Sequence, residues 1–202
     1  MSENNIELDK RELRKNILKK RNAIYPADLM KKSELISRCI EMESRFLRAK
    51  NVLLYYSFGS EVKTDYLLKK SLEMGKRVYY PKVTGDDMDF YRVYSAGEFT
   101  SGFKGIMEPN EAGELFGLDS MDKSIIIVPG TVFGRNGYRI GYGRGFYDRY
   151  LRRYKDIYKV GVCFSCQLID NCPYDNLDVR LDEIVTDSEI LTADEKGEVR
   201  WI

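Results

Sequence analysis

Between Gly137 and Leu151 the chain reads GYRIGYGRGFYDRYL, with four glycines, Gly137, Gly141, Gly143 and Gly145, inside nine residues. Glycine enters left-handed backbone freely and lets another group come close to the main chain. After Gly145 the glycines stop, and Phe146, Tyr147, Tyr150 and Leu151 follow at helical spacing. A loop that ends in the first turn of a helix leaves N–H groups unpaired and carries a partial positive charge, which suits phosphate. Arg139, Arg144 and Arg149 add cations around the turn, and Asp148 offers the oxygen ligands that a hard cation such as Mg2+ takes. The spacing is GxGxG, which is neither GxxxxGK[ST] nor GxGxxG. A tight strand-to-helix turn, with Asp148 only complementing the helix dipole, accounts for the same residues. The flanking arginines favour an anion.

The residues before this stretch indicate the class of fold. Ser124 to Val128 is the most hydrophobic run, and Pro129-Gly130 stops it. It reads as a parallel strand buried on both faces, leading through Thr131 to Phe133 into the glycine loop. Asn51 to Tyr56 is a second such run, continued by the loop SFGSEVKT. Thr64 is placed to cap a helix carrying Leu67, Leu68 and Leu72, which Gly75 ends, and Arg77 to Tyr80 is the next strand. Strand, helix and strand in that order make a parallel unit, and loops at the carboxyl ends of parallel strands usually carry ligands. Tyr56 and Glu61 sit on such a loop. Met88 to Tyr91 and Tyr94 suggest a strand or hairpin, and the polar stretch from Ala112 to Lys123 a surface connection. Downstream, a helix from Phe146 to Tyr154 precedes a strand from Lys159 to Phe164. Ile184 to Thr186, Glu189 to Thr192 and Val199 to Ile202 are short final strands.

The chain opens with two helices. In the first, Ile6 to Ile24, about 100° per residue brings Ile6, Leu13, Ile17 and Ile24 within roughly 40° of one another. Lys10, Arg14 and Arg21 form a basic edge beside that apolar stripe. A basic edge is usually a solvated face, although this one is placed to lie against a polyphosphate. The second helix, Ala27 to Arg45 after Pro26, carries Leu29, Leu35, Ile36, Ile40 and Met42 as apolar positions.

The chain contains no histidine, which removes Ser-His-Asp and Cys-His catalysis and histidine-ligated metals. Proton transfer is left to carboxylate, lysine, tyrosine, cysteine or the substrate. Cys163 and Cys166 make a lone C-x-x-C. Because Cys163 lies in an apolar run, the four cysteines read as reduced thiols rather than a zinc site. With 33 Lys and Arg against 32 Asp and Glu, a dedicated nucleic-acid binder is not expected. No apolar run is long enough to span a bilayer, and the N-terminus is charged rather than signal-like, so a cytoplasmic protein is expected.

The residues of the glycine loop resemble the signature of the 5-formyltetrahydrofolate cyclo-ligase family, also called 5,10-methenyltetrahydrofolate synthetases. That signature is an arginine, a glycine-rich loop, two aromatics and an aspartate, here Arg139, Gly141, Gly143, Gly145, Phe146, Tyr147 and Asp148. The Lys10/Arg14 pair, the E-V-x-T element Glu61 to Thr64, Met88-x-Phe90, the G-x-x-E-P loop ending at Pro109, and Gln167 also match, in order.

The resemblance runs from Lys10 to Thr186 and implies one α/β domain: a mixed, mostly parallel sheet flanked by helices in a Rossmann-like three-layer arrangement. It implies ATP held by Lys10, Arg14, Arg139, Gly141, Gly143, Arg144, Gly145, Phe146 and Tyr147. The folate would be contacted by Tyr56, Glu61, Met88, Tyr142 and the loop from Gly143 to Phe146, with Arg144 and Tyr147 nearest the chemistry. Mg2+ would be held by Asp148 and Asp178. Many members carry histidine before that last aspartate, where this chain has Leu177. The implied reaction converts 5-formyltetrahydrofolate, with polyglutamylated forms left open, and ATP to 5,10-methenyltetrahydrofolate, ADP and phosphate. A monomer without nucleic-acid or membrane partners is expected. Two other classes remain open: a noncatalytic folate- or nucleotide-binding protein, and a different phosphate-binding α/β enzyme.

Overall fold

A computed structural model describes residues 3–95, 97–102, 105–109, 113–117, 123–192 and 199–202. Its centre is an eight-stranded sheet in the order β13 (Val199–Trp201), β12 (Glu189–Thr192), β11 (Glu183–Val185), β9 (Tyr158–Val162), β6 (Ser124–Val128), β1 (Asn51–Leu53), β2 (Arg77–Thr84), β3 (Asp87–Val93). The parallel strands are β1, β2, β6, β9 and β11. Antiparallel strands border them on both sides. β3 pairs with β2, while β12 and β13 follow β11. Successive strand residues face opposite sides, so both sides need apolar cover. Val52, Ile125 and Ile127 pack into one core with Leu29, Ile36, Ile40, Phe46 and Leu67. Those last five come from helices α2 (Pro26–Met42), α3 (Ser44–Arg48) and α4 (Asp65–Glu73). Leu53, Ile126 and Val128 pack into a second core with Tyr150 and Leu151 of α5 (Phe146–Arg153). All five residues of β6 are buried, as its unbroken apolar run requires.

A smaller sheet supports the site. β7 (Val132–Gly134) pairs antiparallel with β8 (Arg139–Ile140) and parallel with β10 (Leu168–Ile169). Helix α1 (Glu3–Asn22) rests on it, with Ile17, Val132, Ile140 and Cys172 forming a third core. A separate two-stranded sheet joins β4 (Phe99–Ser101) to β5 (Met107–Pro109). Among the described residues no helix is long and apolar enough to cross a membrane.

Several expected boundaries move. The second helix stops at Met42, because Glu43 is extended (φ −67°, ψ 134°) and redirects the chain so that Phe46 is fully buried. The Thr64 hydroxyl does not cap α4 but donates to the Tyr55 carbonyl (2.7 Å), closing the loop after β1. β1 ends at Leu53, and β2 continues past Tyr80 through Pro81 to Thr84, forming a hairpin with β3. The described part of the polar stretch before β6 is not purely a surface connection. Phe116 is 1% exposed and lies edge-on to Tyr79, with ring centroids 5.2 Å apart.

Gln167, in a short 3-10 turn, ties the two sheets together. Its Nε2 donates to the Gly130 and Thr131 carbonyls (3.1 and 3.0 Å), and its Oε1 accepts from the Phe164 amide (3.0 Å). Gln167→Leu keeps comparable bulk but leaves these buried groups without that partner. A loss on the order of 1–3 kcal/mol per group left unpaired is expected, read as a drop in melting temperature with retained secondary structure. A melting temperature equal to the parent's would show that the turn holds without this side chain.

Candidate active site

The chain leaves β1 to one side to form β2 and later returns on the other side as β6. A crevice opens at the carboxyl ends of strands where the order reverses in this way. It is lined by the loop after β1 (Tyr55, Tyr56, Phe58, Glu61) and the turn after β6 (Pro129, Gly130). The β2–β3 hairpin adds Pro81, Val83 and Met88, and the segment through β5 adds Ile106, Met107 and Glu108. The glycine loop and the start of α5 close the cavity, which has a volume of about 330 Å³.

The glycine loop takes the backbone its sequence requires. Gly143 has φ +89°, and Gly145 has φ +64° as the N-cap of α5. Arg14 reaches the loop from α1, its Nε donating to the Gly141 carbonyl at 2.8 Å. Its guanidinium lies 3.5 Å from where a Cβ on Gly143 would stand. Lys10, one turn earlier, is buried and donates to Asp178 (2.6 Å) and Asp175 (2.8 Å). Burial alone would lower its pKa, but the hydrogen bonds to the two aspartates outweigh it and hold the ammonium above its ordinary range. Arg139 donates to Asp148 Oδ1 at 2.9 Å, and the Val179 amide donates to the same oxygen at 3.1 Å. Arg149 lies at the turn, as the sequence suggested, its guanidinium donating to the Arg144 and Asp86 carbonyls.

Glu61 is the buried acid of the cavity, 6% exposed, and accepts from the Phe58 amide at 2.8 Å. Desolvation raises its pKa above the ordinary 4.5, against the lowering pull of that amide and of Arg21. Tyr147 is pushed far above the tyrosine range, first by desolvation and then by Glu61, so its hydroxyl stays protonated. That hydroxyl and Arg139 Nε are buried without a hydrogen-bond partner among the described residues, and both side chains line the cavity. Buried polar atoms are nearly always satisfied, so a ligand acceptor here would complete both.

Of the residues singled out from sequence, the cavity collects Tyr56, Glu61, Met88, Arg139, Gly141, Tyr142, Arg144, Gly145, Phe146, Tyr147 and Asp148. Lys10, Arg14, Gly143 and Asp178 do not line it; Arg14 bonds to Gly141 of its lining, Gly143 lies between lining residues, and Lys10 and Asp178 pair with each other next to Val179. Asp148 accepts from the amide of Val179, the residue after Asp178, so the two aspartates lie on touching segments. Asp148 Oδ2 and Asp178 Oδ1 accept no hydrogen bond among the described residues, whereas the other oxygen of each is engaged. Two such oxygens fit a Mg2+ that keeps water and phosphate as its other ligands. Among the described residues no cluster of three or more His, Cys, Asp or Glu forms an all-protein cage. Asp175 carried no local signal, while Glu108 was noted only as the acid of the G-x-x-E-P loop. Arg21 did, as part of the basic edge, but its partners could not be read.

The fold and cavity define a doubly wound α/β protein with a cavity at the switch point, bounded by an arginine-flanked glycine loop and by apolar walls. The chain belongs to the 5-formyltetrahydrofolate cyclo-ligase family, whose sequence model matches residues 6–187. It is 34% identical over 182 residues to a Schizosaccharomyces pombe protein named "Probable 5-formyltetrahydrofolate cyclo-ligase", covering 82% of this chain and 89% of the relative. The solved Aquifex aeolicus 5,10-methenyltetrahydrofolate synthetase superposes with a TM-score of 0.82 at 34% identity, over 95% of this chain and 96% of that one. The Mycoplasma pneumoniae 5,10-methenyltetrahydrofolate synthetase gives 0.71 at 27% identity, over 89% and 99%.

Glu61 yields a pH test. A folded-state pKa above 4.5 means that the folded protein binds this proton more tightly than the unfolded chain, so stability falls as pH rises through the interval between the two values. Glu61→Gln removes that slope while its carbonyl can still accept from Phe58. The melting temperature of the variant minus that of the parent should therefore grow from about pH 4.5 to pH 7. A difference that shrinks over that range would mean the carboxylate is stabilised by its surroundings.

Proposed function

We propose that the protein catalyses the ATP- and Mg2+-dependent cyclisation of 5-formyltetrahydrofolate to 5,10-methenyltetrahydrofolate, with release of ADP and phosphate. Family membership supports the reaction class. The observation that carries the reading is the pair of unpartnered donors, Arg139 Nε and Tyr147 hydroxyl, in a cavity between the Glu61 loop and the glycine loop.

The chemical obstacle is a formamide oxygen that leaves poorly. Transfer of the ATP γ-phosphoryl group to that oxygen makes it a phosphate leaving group. Folate N10 then attacks the activated carbon, the carbon–oxygen bond breaks, phosphate leaves and the N10 proton is lost. Both nucleophiles belong to the substrate, which suits a chain without histidine. The protein's work is positioning and charge neutralisation. Lys10, Arg14, Arg139, Arg144 and the loop amides hold the triphosphate. Gly143 and Gly145 let the main chain face it, and Phe146 packs beside it. Glu61 and Tyr142 take the polar edge of the pterin, with Tyr56 and Met88 on its apolar faces. Tyr147, kept protonated by burial, donates to the reacting oxygen. Asp148 and Asp178 would hold Mg2+, which when bound spreads the charge of the phosphates. The N-terminal helix thus belongs to the nucleotide half of the site, although Lys10 must share its charge with Asp175 and Asp178.

Purified protein should form the methenyl chromophore only with ATP and a divalent cation, releasing one ADP per turnover. An unchanged rate without nucleotide would refute the reading. Arg14→Ala should weaken ATP binding about ten- to hundredfold, the worth of a charge-assisted hydrogen bond, whereas exposed Arg11→Ala should leave it near the parent value. Equal affinities for both would reduce α1 to a scaffold.

Two glycine-loop variants separate folding from turnover. Gly143→Val forces a branched side chain to φ +89°, a strain on the order of 1–3 kcal/mol, and crowds Arg14. Turnover should fall far more than the melting temperature. Asp148→Asn keeps the shape and removes the charge, so very low turnover and a weakened Mg2+ dependence are expected. It also withdraws the counter-charge of Arg139, whose side chain is 2% exposed, so some stability is lost with it. Normal turnover in both variants would place the site elsewhere.

A further inference from the structure

Arg21 is 3% exposed and faces no carboxylate within ion-pair distance among the described residues. Instead its guanidinium is divided among three segments. Nε donates to Ser60 Oγ (3.0 Å), Nη1 to the Gly130 carbonyl (3.3 Å) and Nη2 to the Tyr142 hydroxyl (2.8 Å). Ser60 precedes Glu61 on the loop after β1, Gly130 lies on the turn after β6, and Tyr142 lies in the glycine loop. All three segments line the cavity. Tyr142 and Glu61 both line the cavity, so Arg21 grips one wall at Tyr142 and the other next to the buried acid.

The acceptors do not need Arg21 to remain satisfied. The Gly130 carbonyl also receives Gln167, Ser60 donates to Asn22, and Tyr142 is half exposed to water. A cation whose acceptors are otherwise provided for adds little to folding. It does fix where two loops stand relative to each other. A planar fork of donors can hold three acceptors in set directions, which a lysine ammonium on a flexible stem cannot.

We propose that Arg21 is a positioning residue of the reaction, holding the turn that carries Glu61 and the loop that carries Tyr142 at a fixed separation across the cavity. This rests on the reading of the site given above, in which the first segment serves the folate and the second serves folate and nucleotide. Loosening the clasp lets both segments drift, so folate binding and turnover at saturation fall together. ATP binding, which draws on Lys10, Arg14 and the loop amides, falls less.

The test uses the full chain and the variants Arg21→Lys, Arg21→Met and Tyr142→Phe. Without any ligand, amide hydrogen exchange is followed in residues 57–61 and 141–145. Arg21→Met should speed exchange in both segments together, with β6 unchanged. Faster exchange in only one, or in neither, overturns the clasp whether or not the protein uses folate. Dissociation constants for 5-formyltetrahydrofolate and for a nonhydrolysable ATP analogue are then measured with kcat. Arg21→Met and Arg21→Lys should both weaken the folate about tenfold or more, the loss of a charge-assisted hydrogen bond, with a smaller change for nucleotide. Tyr142→Phe, which removes one arm at a half-exposed position, should give part of the same effect without a loss of melting temperature. Parent-like constants in Arg21→Lys would mean that only the charge matters and would overturn the proposal, as would recovery of Arg21→Met by a second change Glu61→Gln. Failure of the parent protein to bind 5-formyltetrahydrofolate would sink the functional reading instead, leaving the exchange result to decide the clasp.

Discussion

β1 is three residues long and has parallel partners on both sides, β2 and β6, in a single unbroken register. It is fully buried, so every main-chain group it carries must find a strand partner. The rest follows from that confinement. The chain can leave β1 only over the carboxyl end, where Thr64 and Tyr55 fold the exit into a closed loop through the Tyr55 carbonyl and the Val62 carbonyl. Because the neighbours are supplied in opposite directions, the exits from β1 and β6 diverge and leave a gap. The sheet therefore creates the crevice, and the loops decide what fills it.

Charge at the site is paired across long stretches of chain. Lys10 faces Asp175 and Asp178, and Arg139 faces Asp148. Three carboxylates therefore pair with two cations in a partly buried place, beside Arg14 and Arg144. Such a cluster is costly when one member is removed, because the remaining charge loses its partner without regaining water. Asp148 and Asp178, the candidate metal ligands, are also the counter-ions of Arg139 and Lys10. Mutations here carry a stability cost as well as a functional one.

The parts of the fold legible in the sequence are those fixed by local physics. β6 announced itself because burial on both faces demands an unbroken apolar run, and the glycine loop because positive φ at Gly143 and Gly145 favours glycine. The basic edge of α1 was legible from helical geometry. Phe116 was not, since one aromatic in a polar segment has no period, and β7 and β8 were too short to show one. Asp175 looked like any loop acid until Lys10 arrived from 165 residues away. The break at Glu43 reflects the pull of a buried phenylalanine, a tertiary demand that helix periodicity does not record. Within the site, the residue types were readable. Which of them touch was not, because Arg21, Ser60 and Tyr142 share no sequence neighbourhood.

Helix α1 touches the main sheet little and rests on the small β7–β8–β10 sheet, with Lys10 anchored at separations of 165 and 168 residues. It is synthesised early, yet apart from Ser60 the groups that it docks against emerge late. During translation an amphipathic helix with a buried lysine and a buried arginine must wait without partners while the parallel strands assemble, and contacts spanning that much chain form slowly. The contacts of Lys10 therefore form only once at least 165 further residues have been made. A nascent chain can own β1, β2 and β6 and still lack the carboxylates that anchor Lys10.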